Sequence, residues 1–373
     1  MRFMHLSDLH LGKVVGGFSM LEDQAHMLKQ IVEYAQKEQV DAVVVAGDVY
    51  DRSVPPAQAV QLLDAFLSAL IEKKIRVLLI AGNHDSAERL SFAGEILEKQ
   101  GLTIAGKAQS PLKKVTFQDP YGEVTFFLLP FVKPLAENTQ QLVDQLLAGE
   151  EIDRAKRNVC VAHLFVTASG SEPERSDSES CLYVGGLDNV DASSFSAFDY
   201  TALGHIHKSQ RMGQGNVIYG GSLLKYSFSE VLQDKRVPVV ELKEKGNIEI
   251  DWVKFAPLHD MRKIRGRLEE LLREDVIALA DPMDYLCVEL TNEEELIDPM
   301  GQLRSVYPNV MQMILQKNQN RELEYSRVHV QEQKKSLPEL YEEFFEDVTG
   351  RELDENRRQV VLDVAGKAGG VEE

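Results

Sequence analysis

Cysteine is scarce in this 373-residue chain, and what there is lies scattered. Cys160, Cys181 and Cys287 are the three, with no CxxC pair among them. Such spacing argues against a disulfide framework and a thiolate zinc site, and it suits a reducing cytosol. Long apolar runs are missing too, so no segment has the length needed to span a bilayer. The opening residues Met1–Asp8 lack the apolar core of a secretory signal, and no signal peptide is expected. Positive charge is in deficit: 60 Asp and Glu stand against 41 Lys and Arg, a formal net charge of −19. So acidic a chain is poorly suited to gripping nucleic acid by electrostatics alone. DNA stays open as a substrate if metal ions or a local basic surface supply positive charge. Part of the acidity is segregated, since Ser336–Glu373 holds eleven acidic and four basic residues.

What is present is a series of short polar segments, most of them placed just after apolar runs. Asp8 and His10 follow the apolar stretch Met1–Ser7. Asp48 follows Asp41–Ala46 and Gly47. Asn83, His84 and Asp85 follow Arg76–Ala81 and Gly82. His163 ends the run from Asn158, and His205 and His207 follow Tyr200–Leu203 and Gly204. Continuous Val-rich runs of this length read as strands buried on both faces. Between them Leu21–Gln39, Pro55–Glu72 and Glu88–Gln100 carry helical spacing, with prolines near the start of the second. Strand–helix alternation predicts an α/β protein with layered sheets, and ligand sites in such folds gather at the carboxyl ends of strands. Sheet geometry would therefore bring these distant residues together.

Each segment alone has a bland reading. Asp48 can cap a helix, Asn83 can occupy a left-handed turn, and His163 can be a hydrogen-bonded interior histidine. Together, seven oxygen and nitrogen donors suffice for two adjacent metal ions, an arrangement suited to phosphoester hydrolysis. Arg52 reads equally as a phosphate contact or as a partner of Asp51, and Lys208 is similarly ambiguous. His5, His26, His259 and His329 lie outside the pattern and read as structural or solvent-exposed.

After Pro257 the pattern changes. Met261–Arg267, Leu268–Ile277, Tyr285–Leu290, Pro299–Val306 and Val310–Leu315 predict a small β-α-β-α-β unit without a ligand set of its own. The expected organisation is a main domain over 1–256, the small unit over 257–317, a linker over 318–335 and a helical tail over 336–373. In the tail Leu337, Leu340, Tyr341, Phe344 and Phe345 form one apolar stripe. Val360, Val361 and Val364 continue it on a second helix. So few residues make no core, so the stripe packs back on the protein or docks on a partner.

The order D-x-H, G-D-x-x-D-R, G-N-H-D, H, G-H-x-H through residues 1–230 resembles the calcineurin-like metallophosphoesterase superfamily. Asp8–Lys13, Gly47–Pro56, Gly82–Leu90, Ser176–Ser180 with Leu182–Gly186, Asp199–Gln210 and Tyr219–Glu230 are similar, within it, to the nuclease-subunit family of SbcCD-type complexes. Leu9 departs from the Trp that many relatives carry. The resemblance implies a four-layer α/β/β/α sandwich with a small capping domain and a C-terminal helical tail. It implies one ion held by Asp8, His10, Asp48 and His207, and another by Asp48, Asn83, His163 and His205, with Mn²⁺ favoured and Mg²⁺ as a substitute. His84 is expected to serve the leaving oxygen, with Asp85 fixing its tautomer or raising its pKa.

The same resemblance implies an SbcC-type SMC-like ATPase bound through the C-terminal helices, and a homodimer of nuclease subunits within a heterotetramer. It further implies ATP-dependent 3′→5′ exonuclease and hairpin endonuclease activity on DNA in the cytoplasm. Two readings compete. A stand-alone phosphodiesterase for small molecules shares the metal chemistry but has no use for the striped tail. A non-catalytic scaffold on the same fold would be expected to have lost ligands, and all seven are present.

Overall fold

The strand Ala42–Ala46 shows how the chain is layered. Val43 and Val45 enter one apolar cluster, and Ala42, Val44 and Ala46 enter another on the opposite face. Side chains alternate across a strand, so a run that is apolar at every position is buried on both sides.

The computed structural model describes residues 1–133, 138–179, 189–316, 357–358 and 360–361. Two units are present, Met1–Leu315 and Gln316–Glu373. In the second, the linker and both helices expected from the sequence lie outside the described residues, apart from helical positions Arg357, Arg358, Val360 and Val361.

Twelve strands of the first unit make two six-stranded sheets. They are β1 (Arg2–Leu6), β2 (Ala42–Ala46), β3 (Arg76–Ile80), β4 (Leu102–Ala105), β5 (Lys113–Asp119), β6 (Gly122–Leu129), β7 (Arg157–His163), β8 (Tyr200–Gly204), β9 (Gln210–Met212), β10 (Val217–Tyr219), β11 (Val237–Leu242) and β12 (Ile248–Val253). One sheet has the order β12-β11-β1-β2-β3-β4 and the other β9-β10-β8-β7-β6-β5. β1 to β4 run parallel, as do β6, β7, β8 and β10. Antiparallel β11 and β12 close one edge of the first sheet. Between the sheets lies an apolar layer around Phe3, Phe126, Tyr200 and Ile218. Helices α1 (Leu21–Lys37) and α2 (Ala57–Glu72) cover the outer face of the first sheet, and α3 (Thr139–Ala148) covers the second. The result is the four-layer α/β/β/α sandwich that the sequence led us to expect.

A third sheet is built from β13 (Met261–Gly266), β14 (Tyr285–Leu290) and β15 (Val310–Leu315), all parallel, with short helices crossing between them. It meets α1 through Asp23, a fully buried carboxylate that accepts hydrogen bonds from the His259 backbone N–H (3.0 Å) and the Tyr285 hydroxyl (2.8 Å). Lys225 pairs with Asp260 at 2.8 Å across the same junction.

Two expected helices are broken. Glu88–Gln100 is instead the turns Ala87–Leu90 and Gly94–Glu98, because Ala93 takes φ 59, which a right-handed helix cannot pass through. Leu268–Ile277 divides at Arg273, whose extended backbone (ψ 140) caps a new turn and whose guanidinium pairs with Asp275 at 2.7 Å. β4, β5, β9 and α3 were not anticipated. Among the described residues, no helix is long and apolar enough to cross a membrane.

Candidate metal centre

Five parallel strands, three in one sheet and two in the other, end at the same place. β1 delivers Asp8 and His10, β2 Asp48, β3 Asn83 and His84, β7 His163, and β8 His205 and His207. Four of these take left-handed backbone: Asp8 (φ 51), His10 (φ 45), Asp48 (φ 48) and His205 (φ 102). Non-glycine residues rarely do so, and they persist there only where the surroundings over-determine them. The turns aim each side chain back between the sheets. The sheets themselves approach closely here. A Cβ on Gly204 would collide with the Ala46 carbonyl, so glycine is required where β8 crosses the end of β2.

The seven expected ligands converge. His10 Nε2 and His207 Nε2 are 3.1 Å apart. Asn83 Oδ1 lies 3.0 Å from both His163 Nε2 and His205 Nδ1. Asp48 Oδ2 sits between the two groups, 3.7 Å from His10 Nε2 and 3.4 Å from His163 Nε2. Donor atoms of Asp8, His10 and His207 lie within 4.8 Å of one another, as do those of Asp8, Asp48 and His163.

The tautomer of His163 is fixed. Its Nδ1 faces the Ala46 carbonyl at 2.9 Å and must donate to it, which leaves the Nε2 lone pair facing the Asn83 oxygen. Lone pairs that meet at 3 Å in a buried site need a shared proton or a cation. Asp8 Oδ2 and His10 Nδ1 are also buried without a hydrogen-bond partner. The donor set of carboxylate, carboxamide and imidazole therefore fits divalent metal ions.

Burial and mutual charge reshape the protonation of this cluster. Burial pushes the Asp8 carboxyl up. Burial also opposes ionisation of Asp48, but the adjacent His163 overrides it and holds that carboxyl well below its ordinary value. Conversely, burial disfavours charge on His163, yet the Asp48 carboxylate pushes the imidazole up to about 9. His205 and His207, desolvated, are lowered to about 3. His205 and His207 are thus in the neutral form that ligates metals, whereas His163 must give up the proton that Asp48 holds on it before its Nε2 can do so.

His84 and Asp85 behave differently from one another. The His84 ring meets His10 edge to face at 4.8 Å, and its Nδ1 donates to the Asp51 carbonyl at 2.8 Å. Asp85 does not take the tautomer-fixing part expected of it. Its oxygens accept backbone N–H groups of Val49 (3.1 Å), Tyr50 (2.9 Å) and Gly82 (2.9 Å), lashing the turn after β2 to the turn after β3. The Asp51 carbonyl orients His84 instead.

Arg52 is exposed and lies 3.8 Å from Asp51, and Lys208 pairs with Glu174. His5 is interior and structural, bonded to Tyr200 and Leu203. Residues that sequence reasoning passed over complete the surroundings. Asp51 accepts from Lys13 at 2.8 Å. Tyr226 stands against both His10 and His207, and Ser178 lies 2.6 Å from His207 Nδ1. Ser178 and Tyr226 fall in segments whose family resemblance was visible but whose chemistry was not assigned.

The family model described as calcineurin-like phosphoesterase matches residues 1–209. The SbcD subunit of the SbcCD nuclease of Staphylococcus epidermidis is 33% identical over 368 residues, covering 95% of each chain. The chain belongs to the SbcD family of calcineurin-like phosphoesterases. Its catalytic fold is that of a metal-dependent phosphodiester hydrolase. The SbcD subunit of Staphylococcus saprophyticus is likewise 33% identical, covering 97% of this chain and 96% of that one. A second model, described as a type 5 capsule protein repressor C-terminal domain, matches residues 257–349. Among solved structures, TT1561 of Thermus thermophilus aligns with a TM-score of 0.43 at 12% identity, covering 67% of this chain and 98% of that one.

Proposed function

We propose that this SbcD-family chain is the nuclease subunit of an SbcCD-type complex that hydrolyses DNA phosphodiester bonds with two divalent metal ions. The observation that carries the metal reading is the convergence of carboxylate, carboxamide and imidazole ligand atoms around Asp48, joined to 33% identity with SbcD subunits along nearly the whole length. Asp8, His10, Asp48 and His207 would hold one ion, and Asp48, Asn83, His163 and His205 the other. Such a pair supplies Lewis acidity, lowering the pKa of water and offsetting phosphodiester charge. Mn²⁺ is the favoured metal, with Mg²⁺ as an alternative.

The chain's own side chains do the remaining work. With His84 Nδ1 committed to the Asp51 carbonyl, proton exchange at this ring takes place at Nε2. As imidazolium, it delivers that proton to the leaving oxygen. Asp85 keeps the two ligand-bearing turns in register. An SbcC-type ATPase bound through the C-terminal helices would contribute the DNA grip that a chain of −19 lacks, as part of a heterotetramer with two nuclease subunits.

The test is a nuclease assay on hairpin and blunt-ended DNA with Mn²⁺, with and without the ATPase and ATP, beside bis-(p-nitrophenyl) phosphate. ATP-stimulated cleavage of DNA supports the reading. Turnover of small phosphodiesters with intact DNA under every condition overturns it in favour of a small-molecule phosphodiesterase.

A further inference from the structure

His207 is held from behind by a chain of polar groups reaching from one loop to another. Ser178 Oγ lies 2.6 Å from His207 Nδ1 and 2.5 Å from Glu230 Oε1. Glu230 is fully buried, and its other oxygen accepts from Lys235 Nζ at 2.5 Å. A carboxylate has no proton to give, so the Ser178 hydroxyl donates to Glu230. Its own proton being committed, Ser178 Oγ can only accept from His207 Nδ1–H. The direction of every bond follows: His207 is locked as the Nδ1–H tautomer, and the lone pair of Nε2 faces His10 within the metal cluster.

Distance makes Ser178 indispensable to this arrangement. His207 Nδ1 is 3.8 Å from Glu230 Oε1, too long for a direct hydrogen bond, so the hydroxyl is the bridge. Lys235 closes the circuit. Besides Glu230 it donates to the His207 carbonyl (2.9 Å) and to Ser222 Oγ (2.9 Å). The same ammonium therefore ties down the backbone of the ligand and the carboxylate that sets its ring. Glu179 Oε1 accepts the His207 backbone N–H at 2.8 Å and completes the grip.

We infer that Ser178, Glu230 and Lys235 form a positioning relay for His207 that sets the affinity of one of the two metal positions and leaves the other nearly untouched. Ser178 meets the ring at Nδ1, while Nε2 faces His10 in the metal cluster. The inference rests on the two-metal reading above, and it assigns unequal consequences to the two ions. At the other position the Ala46 backbone carbonyl performs the equivalent service for His163, and no side-chain substitution removes it.

The experiment is titration of the full chain with Mn²⁺, followed by calorimetry and by electron paramagnetic resonance, for wild type, Ser178→Ala, Ser178→Thr and Glu230→Gln. Partners that orient a ligating histidine typically contribute about 10–100-fold in metal affinity. Ser178→Ala is expected to weaken one Mn²⁺ by that factor, leave the other within about threefold, and replace the spin-coupled pair signal by a mononuclear one. Ser178→Thr keeps the hydroxyl and is expected to restore the pair. Ser178 is only half-buried and its loss leaves the Glu230–Lys235 ion pair standing, so this variant folds even if Glu230→Gln does not. Wild type that binds two Mn²⁺ while Ser178→Ala binds both at unchanged affinity overturns the relay alone. Wild type that binds fewer than two overturns the two-metal reading and the relay with it.

Discussion

Asp48 and Asp298 make an instructive pair. Both are aspartates with left-handed backbone, φ 48 and φ 43, and both accept a backbone N–H through one carboxylate oxygen. Asp298 is exposed and caps the short helix Pro299–Arg304, accepting from Gly301 N–H at 3.0 Å. Asp48 is buried, and its second oxygen lies between His10 and His163. The two regions that contain them share parallel strands and helical crossovers. They differ in what stands opposite the strand ends. In the sandwich a second sheet faces the first, so side chains turned off the strand ends meet others across the gap. Among the described residues the three-stranded sheet faces no such partner sheet, and its turn aspartate caps a helix. Function follows from two sheets sharing one end, not from the turn itself.

Replacing each aspartate should widen the contrast. Asp48→Asn is expected to lower Mn²⁺-supported hydrolysis of bis-(p-nitrophenyl) phosphate by at least about 10³-fold, because charge stabilisation worth several kcal/mol is lost. Chelation by EDTA should abolish wild-type turnover, with recovery on adding Mn²⁺ back. Asp298→Ala should cost about 1 kcal/mol of stability in urea unfolding, the usual penalty for a lost N-cap. Its turnover should equal that of wild type, and comparable losses from both substitutions would erase the distinction.

His84 sharpens the same comparison within the site. It lies at a strand end like the seven ligands, and like that of His163 its Nδ1 is turned onto a backbone carbonyl, so metal binding and turnover must be measured separately. His84→Gln is expected to retain both metal ions by calorimetry while turnover falls about 10²–10⁴-fold, the range for loss of a general acid. Loss of a metal ion in this variant would make His84 a ligand instead.

Much of this was legible in the chain itself. An apolar run, a glycine, then Asp, Asn or His is a local pattern, and parallel sheets bring such patterns to one end. The pairing of His84 with Asp85 was misleading because sequence neighbours at a turn point apart. Asp85 folds back onto Val49, Tyr50 and Gly82, while the His84 ring turns to Asp51. Ser178 and Glu230 are 52 residues apart, one in a loop and the other ending a single 3₁₀ turn, so no periodicity joins them. β5 was missed because its half-exposed residues dilute the apolar signal, and the break at Ala93 because a positive φ at alanine leaves no trace in composition.

Glycines at the two kinds of strand end offer a smaller test. A Cβ at Gly204 would strike the Ala46 carbonyl, a backbone atom that cannot move without shifting β2. At Gly266, which ends β13, the added carbon would meet the Leu271 side chain at 3.2 Å, which can rotate away. Gly204→Ala is therefore expected to lose about 2–3 kcal/mol in urea unfolding, and Gly266→Ala less than about 1 kcal/mol. Equal losses would mean that the sheets tolerate separation at the site.

The last comparison sets interior His5 against the histidines of the metal cluster. His5 bridges the sheets, 3.0 Å from the Tyr200 hydroxyl and 3.1 Å from the Leu203 carbonyl, and burial lowers it to about 3. Unfolded, it titrates near about 6.5, so between these values the unfolded chain binds a proton that the folded one refuses. Stability from keeping His5 neutral is thus fully present above about 6.5 and drains away as pH falls toward 3. At about pH 5 the loss amounts to roughly 2 kcal/mol. Glutamine at this position can donate and accept without titrating. Urea unfolding of His5→Gln between about pH 7.5 and pH 5 should therefore show a shallower fall than wild type by roughly that amount. Parallel curves would show that the imidazole is protonated in the folded chain, with both ring nitrogens donating.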